Sequence, residues 1–123
     1  MDKEKLNFKD IFKKRLYTFT LNLIKIIDSL PKDSVSGVMG KQLLRSGTSI
    51  IANYVEGGSA SSRKDLINFL THSLKSANES KVWIALLRDT KRVKGSDVEK
   101  ILDELIQISK IIASSIIKLK GKK

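Results

Sequence analysis

Residues 8–30 read FKDIFKKRLYTFTLNLIKIIDSL, and the spacing of their apolar side chains decides the fold class. One apolar row recurs at alternating intervals of four and three residues: Phe12, Leu16, Phe19, Leu23, Ile26 and Leu30. This spacing is typical of a helix that packs in a bundle. A second row lies beside the first: Tyr17, Leu21, Ile24 and Ile27. Two rows exceed what one protomer covers, so we expect the second row to lie at an interface between copies of the chain.

The rest of the chain shows the same periodicity in three further segments. The apolar spacing and the breaks between segments predict helices over about 8–30, 34–56, 62–94 and 97–119. Residues before proline avoid the α region, so Pro31 ends the first helix. Asp33 or Ser34 caps the second helix, which ends at Gly57-Gly58.

The third and fourth helices begin at two capping-box patterns. Ser62 is followed by Asp65 three residues later, and Ser96 is followed in the same way by Glu99. Gly95 ends the third helix. The apolar row of the third helix has small side chains at its centre: Leu66, Leu70, Ser73, Ala77, Ser80, Ile84 and Leu87. Small side chains there allow a neighbouring helix to approach closely.

Four helices of this length joined by short loops predict one all-α domain over residues 1–123. We expect it to fold as an antiparallel up-down-up-down four-helix bundle. The sequence contains no alternating Val/Ile/Thr run and no Asn-Gly pair that would predict a β-hairpin. It also contains no cysteine, which excludes disulfides and cysteine-based metal or redox sites.

Composition also argues against catalysis and against a membrane span. His72 is the only histidine, and the chain has no HExxH or GxxxxGK[ST] motif. We therefore expect no enzyme activity, no metal and no cofactor. No apolar run approaches the ~18 residues of a membrane span, and no apolar stretch of a signal peptide follows residues 1–5. These features predict a cytoplasmic protein without a membrane partner.

A polar stripe follows one face of the second helix. Arg45, Ser49, Asn53 and Glu56 lie at intervals of four, four and three residues. Glu79 on the third helix is the expected partner of Arg45, in a dry contact where an unpaired charge would be costly. A structural polar network is the favoured interpretation of the stripe. A catalytic use of Glu56 or Glu79 is disfavoured, because no second acid, metal ligand or nucleophile accompanies either residue.

The second and third helices also carry a family resemblance. Residues 41–57 read KQLLRSGTSIIANYVEG, which resembles the signature QLxRSxxSIxANxxEG of the bacterial four-helix-bundle proteins of ribosomal RNA intervening sequences. Residues 65–70, DLINFL, resemble the D-F-x-x-F-L segment of that family, with Leu66 in place of the usual aromatic residue. Ser76 and Glu79 resemble its G-S-x-x-E segment, and Gly47 stands where the family commonly has alanine.

This resemblance covers about residues 8–118 and implies a four-helix protomer, a homopentameric ring and no enzymatic activity. Relatives of this type include the accessory variability determinant of diversity-generating retroelements, a basic pentamer that binds a reverse transcriptase and RNA. The resemblance fits a retroelement accessory protein, a stand-alone protein and a ribosomal-RNA-associated protein equally. A reverse transcriptase is therefore one partner that it implies.

The net charge of +11 favours a polyanionic partner. In the predicted topology, the start of the first helix, the end of the second, the start of the third and the end of the fourth lie together. That end collects twelve basic residues against five acidic ones. Ten of the basic residues are candidate nucleic-acid contacts: Lys9, Lys13, Lys14, Arg15, Arg63, Lys64, Lys118, Lys120, Lys122 and Lys123.

Two functions of different classes fit the sequence. The first is a non-enzymatic, oligomeric protein that binds RNA or DNA through phosphates and serves a reverse transcriptase or ribosomal RNA. The second is an oligomeric protein-binding scaffold, or a ribosomal-RNA-associated protein without direct nucleic-acid contact. Trp83 lies off the apolar row of the third helix, where packing between subunits is preferred over stacking on a base.

Overall fold

The structure, a computed structural model, describes residues 8–122, which form four α-helices and no β-strand. The helices are α1 (Phe8–Asp28), α2 (Ser34–Gly57), α3 (Arg63–Asp89) and α4 (Gly95–Lys120). They pack around one apolar core to which all four contribute, as in a four-helix bundle. The all-α prediction is therefore confirmed for the described residues.

Two of the predicted helix starts are confirmed by their capping bonds. The Asp33 carboxylate accepts hydrogen bonds from the Ser36 backbone N–H at 2.8 Å and from the Ser36 hydroxyl at 3.0 Å. These bonds, together with the nearby Arg92, hold the pKa of the Asp33 carboxyl below its ordinary value. At the start of α3, the Ser62 hydroxyl accepts a bond from the Asp65 backbone N–H at 3.1 Å.

The predicted boundary between the third and fourth helices was wrong. α3 ends at Asp89, because Lys91 adopts a left-handed conformation with φ 59°. The Arg92 N–H then bonds to the Leu87 carbonyl and the Lys91 N–H to the Arg88 carbonyl, each at 3.0 Å. This pair of bonds is a Schellman motif, which usually has glycine in the left-handed position. A lysine in that position gives no sequence signal for a helix end, so the predicted third helix continued to residue 94.

The other helix limits differ from the prediction by smaller amounts. α4 begins at Gly95 with Lys94 at its N-cap, and no side chain caps it, so the capping box predicted at Ser96 does not form. α1 ends at Asp28, two residues before the predicted end, and the Leu30 N–H bonds to the Ile27 carbonyl three residues back. This tighter turn leads directly into Pro31.

The first apolar row of α1 points into the core as predicted. Its first four members, Phe12, Leu16, Phe19 and Leu23, are buried, and Ile26 and Leu30 are half-buried against them. The second row is more open: Tyr17 and Leu21 are exposed, and Ile24 and Ile27 are half-buried. The second row is therefore only partly covered by the protomer itself.

α2 and α3 approach each other closely through small polar side chains. The Ser46 and Ser80 hydroxyls lie 2.8 Å apart, and both residues have 0% of their surface exposed. One turn further along α2 and two turns back along α3, the Ser73 hydroxyl donates to the Ile50 carbonyl at 2.8 Å. The contacting residue numbers rise along α2 as they fall along α3. α2 and α3 also share the most extensive interface of any helix pair, as their small side chains predict.

α1 packs against α2 through two glycines of α2. A methyl group at Gly47 would overlap Leu23 Cδ2, and one at Gly40 would lie 3.1 Å from Leu30 Cδ1. The branched side chains of α1 therefore occupy the space that side chains on α2 would otherwise fill. By contrast, a methyl group at Gly37 would have no neighbouring atom within 4 Å.

These two environments allow a direct test of the α1–α2 contact. We expect Gly37→Ala to raise the free energy of unfolding by up to about 1 kcal/mol, because alanine favours helix over glycine. Gly47→Ala gains the same propensity but displaces the buried Leu23, and overpacking of this kind costs about 1–3 kcal/mol. Gly47→Ala should therefore be the less stable variant by about that amount in chemical denaturation. Equal effects would show that Leu23 turns aside freely.

Candidate functional site

One end of the molecule gathers the predicted cationic residues. The Arg63 guanidinium at the start of α3 donates to the Lys122 carbonyl after α4 at 2.7 Å, and the Tyr54 hydroxyl near the end of α2 lies 3.5 Å from the Lys9 carbonyl in α1. Gly57 at the end of α2 lies against Leu66 near the start of α3, which connects these two pairs. The start of α1, the end of α2, the start of α3 and the end of α4 therefore lie together.

We call this region the basic end and define it by eight exposed residues: Lys9, Lys13, Lys14, Arg63, Lys64, Lys118, Lys120 and Lys122. The acidic side chains on the same segments are Asp10, Glu56 and Asp65, so the cations outnumber the anions among the residues described there. The predicted contact Lys123 lies outside the described residues, as do Lys3 and Lys5, the other two of the twelve basic residues that the sequence predicts at this end.

Arg15 departs from the prediction and is not part of the basic end. Its guanidinium makes two bonds of 2.8 Å to the two carboxylate oxygens of Glu104, and a third of 2.7 Å to Gln107. Hydrogen bonding to Glu104 raises the pKa of Arg15 further above its ordinary value, although burial opposes the shift. Arg15 therefore links the flank of α1 to α4, and its charge is already paired within the protomer.

Two of the arginines at the opposite end of the molecule are paired with acidic residues. Arg92 donates to the Ser36 hydroxyl at 2.9 Å and to the Asp33 carboxylate at 3.4 Å. Arg88 donates to the Asp89 carboxylate at 2.9 Å, a bond that raises the pKa of Arg88 and lowers that of Asp89. Exposed lysines such as Lys91 and Lys94 lie at this end as well, but so do exposed acidic residues: Asp28, Asp89, Asp97, Glu99 and Asp103. The excess of cations over acidic residues is therefore larger at the basic end.

The polar stripe of α2 contains the predicted ion pair but not in a dry place. The Arg45 guanidinium donates to a Glu79 carboxylate oxygen, which also accepts the Trp83 indole N–H at 3.0 Å. The side chains of Arg45 and Glu79 are 58% and 37% exposed, so the expected burial was wrong. The smaller Ser46 occupies the interior of the α2–α3 contact, which leaves Arg45 at its outer edge, where Gln42 also accepts from it.

The middle of the stripe forms a short hydrogen-bond chain between α2 and α3. The Ser76 hydroxyl donates to the Ser49 hydroxyl at 3.0 Å, and the Asn53 amide donates to the Ser49 carbonyl and hydroxyl, both at 2.9 Å. The Glu56 side chain is exposed and makes no hydrogen bond or ion pair with residues 8–122. The structure thus brings Arg45, Ser49, Asn53 and Glu79 into one contact region and leaves Glu56 out.

Three residues that were not predicted to belong to this region complete it: Gln42, Ser76 and Trp83. Gln42 was not assigned to the stripe, although it precedes Arg45 by three residues and therefore lies on the same helix face. Ser76 was noted only for its family resemblance, and Trp83 only as an off-row aromatic.

Between residues 8 and 122, no group of three or more acidic or histidine side chains is placed to hold a metal ion. Nor does any described helix have the length and apolarity needed to cross a membrane.

These features define a class, the basic all-α proteins built on a four-helix bundle. The family model of the 23S rRNA-intervening sequence protein matches residues 9–114, and the chain belongs to this family. A crystal structure of a protein of unknown function from the S23 ribosomal protein family of Bacteroides thetaiotaomicron is similar, with 37% sequence identity and a TM-score of 0.80. That match covers 85% of this chain and 97% of the other. A search of curated proteins finds no match.

The contacts between α2 and α3 predict the order in which three substitutions lower the free energy of unfolding. We expect Ser80→Leu to lower the free energy of unfolding by about 1–3 kcal/mol, because it overpacks a contact without free space and removes the Ser46 partner. Arg45→Ala should cost no more than about 1 kcal/mol, since its ion pair is exposed. Lys14→Ala, which removes an exposed lysine, serves as the control and should cost nothing measurable. If denaturation shows that Arg45→Ala lowers the free energy of unfolding most, the ion pair, and not the buried Ser46–Ser80 contact, stabilises the packing of α2 against α3.

Proposed function

We propose that the protein is a non-enzymatic accessory protein that binds RNA or DNA through phosphates at the basic end. The observation that carries this proposal is the uneven balance of charge between the two ends. Eight exposed cations lie with three acidic residues at one end, whereas at the other end Arg88 and Arg92 bond to carboxylates and further exposed acidic residues offset the lysines. Membership of the ribosomal RNA intervening-sequence family supports the same partner class. We propose a cytoplasmic location on the same grounds.

The basic end is suited to a backbone contact that does not depend on base sequence. Lysine is the main cation there, and it meets phosphate as a flexible point charge. Such contacts gain free energy mainly by displacing counterions from the nucleic acid, so the affinity falls as salt rises. Each phosphate contact adds about 0.7–0.9 to the slope of log affinity against log salt.

Replacing the terminal lysines tests the proposed function. We expect the combined change of Lys118, Lys120, Lys122 and Lys123 to Gln to weaken binding to structured RNA and duplex DNA alike. The salt slope should flatten at the same time, because phosphate contacts are lost. Fluorescence anisotropy titrations across a salt series measure both quantities.

A matched control removes the same charge from the opposite end. It changes four exposed lysines to Gln: Lys32, Lys41, Lys91 and Lys94. This control should bind more tightly than the terminal variant and keep the slope of the unchanged protein. A control that loses as much affinity and slope as the terminal variant would place the site elsewhere. Absence of binding to either nucleic acid at low salt would overturn the proposed function.

We further propose that the protomer is an antiparallel up-down-up-down bundle that assembles into a homopentameric ring, as the family resemblance implies. The contact would use the second apolar row of α1. Ile27 of that row contacts the Gly40 side of α2, so the rest of the row runs along the α2 side of α1. On α2, Leu44 follows Gly40 and Ile51 follows Gly47 by four residues, which places them on the facing side. The two helices together therefore present one partly exposed apolar face.

A charge placed in this face tests the assembly. We expect Leu21→Glu, at a site that is 46% exposed, to convert the oligomer into monomers, because assembly would bury the new carboxylate without a partner. Ile117→Glu, at a more exposed site of 70% on α4, should leave the oligomer intact. Light scattering coupled to size-exclusion chromatography gives the mass of each. A monomeric unchanged protein at micromolar concentration would contradict the assembly, and another oligomer number would contradict the pentamer alone.

A protein-binding scaffold is the second candidate function, and three exposed apolar residues away from the basic end favour it. Val38 of α2 and Val82 and Leu86 of α3 are 62%, 56% and 41% exposed. Large apolar side chains that are exposed to solvent are suited to contact with another protein. A reverse transcriptase is the partner that the family resemblance implies, and this stays a prediction. A scaffold that never touches nucleic acid would form the oligomer yet fail every titration described above.

A further inference from the structure

We infer that a cavity in the basic end receives one unpaired base of a single-stranded nucleic acid, while the lysines around it hold the neighbouring phosphates. This inference rests on the proposed function and narrows its ligand to a strand that can present a free base. Its grounds are the size, the lining and the charge of the cavity.

The cavity lies where the four helix ends meet and has a volume of about 500 Å³. This is within the range of about 300–1,000 Å³ that is usual for small-molecule sites. Its wall is formed largely by apolar and aromatic side chains from all four helices: Phe8, Tyr54, Leu66, Leu70 and Leu119. An occupant with an apolar, flat surface matches this wall.

An aromatic platform stands at one side of the cavity. The Phe8 ring stacks on the Phe12 ring with centroids 5.8 Å apart and planes 9° apart. Phe12 is buried and meets the Tyr54 ring edge-on, at 5.1 Å and 78°. Phe12 therefore holds Phe8 in place from one side, while Phe8 itself remains 57% exposed. A base that stacks on the free face of Phe8 would extend an existing aromatic stack.

Charge decides which flat, apolar occupant the cavity suits. Four exposed lysines line it together with one acidic residue, Asp10: Lys9, Lys13, Lys118 and Lys122. The excess of cations favours an anionic ligand, and a nucleotide joins a flat apolar base to an anionic phosphate. Paired bases inside a duplex are stacked on each other and cannot enter, so the cavity selects single strands, loops or bulges.

The cavity also contains a hydrogen-bond donor for the edge of a base. Burial, together with the nearby Asp10, raises the pKa of the Tyr54 hydroxyl above its ordinary value, so it stays protonated at neutral pH. Its contact to the Lys9 carbonyl, at 3.5 Å, is long for a hydrogen bond. The hydroxyl can therefore turn towards a base without losing a strong bond.

Removal of the platform tests the inference. Phe8→Ala should weaken binding of a single-stranded oligonucleotide roughly 5- to 150-fold, the range for loss of one base–aromatic stack. The salt slope should not change, because no phosphate contact is lost. Ile11→Ala is the matched control, since Ile11 is also 57% exposed on α1 but does not line the cavity. Thermal melts of both variants establish that each is folded.

A fluorescent base reports on the cavity directly. The probe is a thymidine oligonucleotide with one central 2-aminopurine, whose fluorescence falls when the ring stacks. We expect quenching by the unchanged protein and by Ile11→Ala, and little quenching by Phe8→Ala. An oligonucleotide of the same length that is abasic at every position should bind the unchanged protein no more tightly than the complete strand binds Phe8→Ala.

The outcomes separate this inference from the proposed function. If Phe8→Ala binds like Ile11→Ala while the terminal lysine variant still loses affinity, the basic end holds phosphates but the cavity holds no base. Failure of the unchanged protein to bind any nucleic acid overturns both. If dodecanoate occupies the cavity, and bound 2-aminopurine shows no quenching, the cavity takes an acyl chain and the inference is overturned.

Discussion

The close approach of α2 to α3 is the constraint on which the rest of the structure depends. Ser46, Ser73 and Ser80 are fully or almost fully buried, and each hydroxyl has a hydrogen-bond partner. Small side chains bring the two backbones together, but a buried hydroxyl without a partner is costly. A shift of one helix along the other by one turn would separate the Ser46–Ser80 pair. The need to pair these buried hydroxyls therefore fixes the register of α2 against α3, which apolar packing alone would fix less strictly.

This register determines where the outer polar side chains meet. With Ser46 opposite Ser80, the neighbouring Arg45 and Glu79 lie side by side at the solvent edge of the contact. The exposed ion pair is thus a consequence of the buried hydroxyls and adds little free energy of its own. By comparison, α1 and α4 share the smallest interface of the neighbouring helices, bridged by the two bonds of Arg15 to Glu104.

Periodicity predicted the parts of the fold that depend on burial alone. The α3 row was correct from Leu70 to Leu87, because a helix with one buried face must repeat apolar or small residues every three to four positions. Helix ends were less predictable, because the left-handed Lys91 depends on backbone bonds that leave no mark in the residue types. The partner of Arg15 was also missed, since its long side chain can reach several positions on α4. Which position it reaches depends on the packing of the two helices.

Some features of the candidate site were likewise predictable from the sequence, and others were not. Helix order and residue type were enough to predict that cations gather at one end, since short loops fix which helix ends are neighbours. They could not show that Phe8 remains open while Phe12 supports it, or that the helix ends leave a cavity between them. Cavities arise from small differences in how side chains fill space, and these differences have no period along the sequence.

The placement of charge couples the proposed assembly to the proposed ligand. Each protomer carries a net charge of +11, so bringing several copies together costs electrostatic free energy. The apolar face of α1 and α2 includes Leu21 and Leu44, whereas the larger excess of cations over acidic residues lies at the basic end, so repulsion in a ring would be greatest between neighbouring basic ends. At physiological salt such repulsion extends over about 8 Å, which is enough to act between adjacent clusters of lysines. A polyanion lying across several basic ends would relieve it and would bind the ring more tightly than separate protomers. By linkage, the same polyanion would stabilise the ring, so the two proposed properties strengthen each other through the lysines.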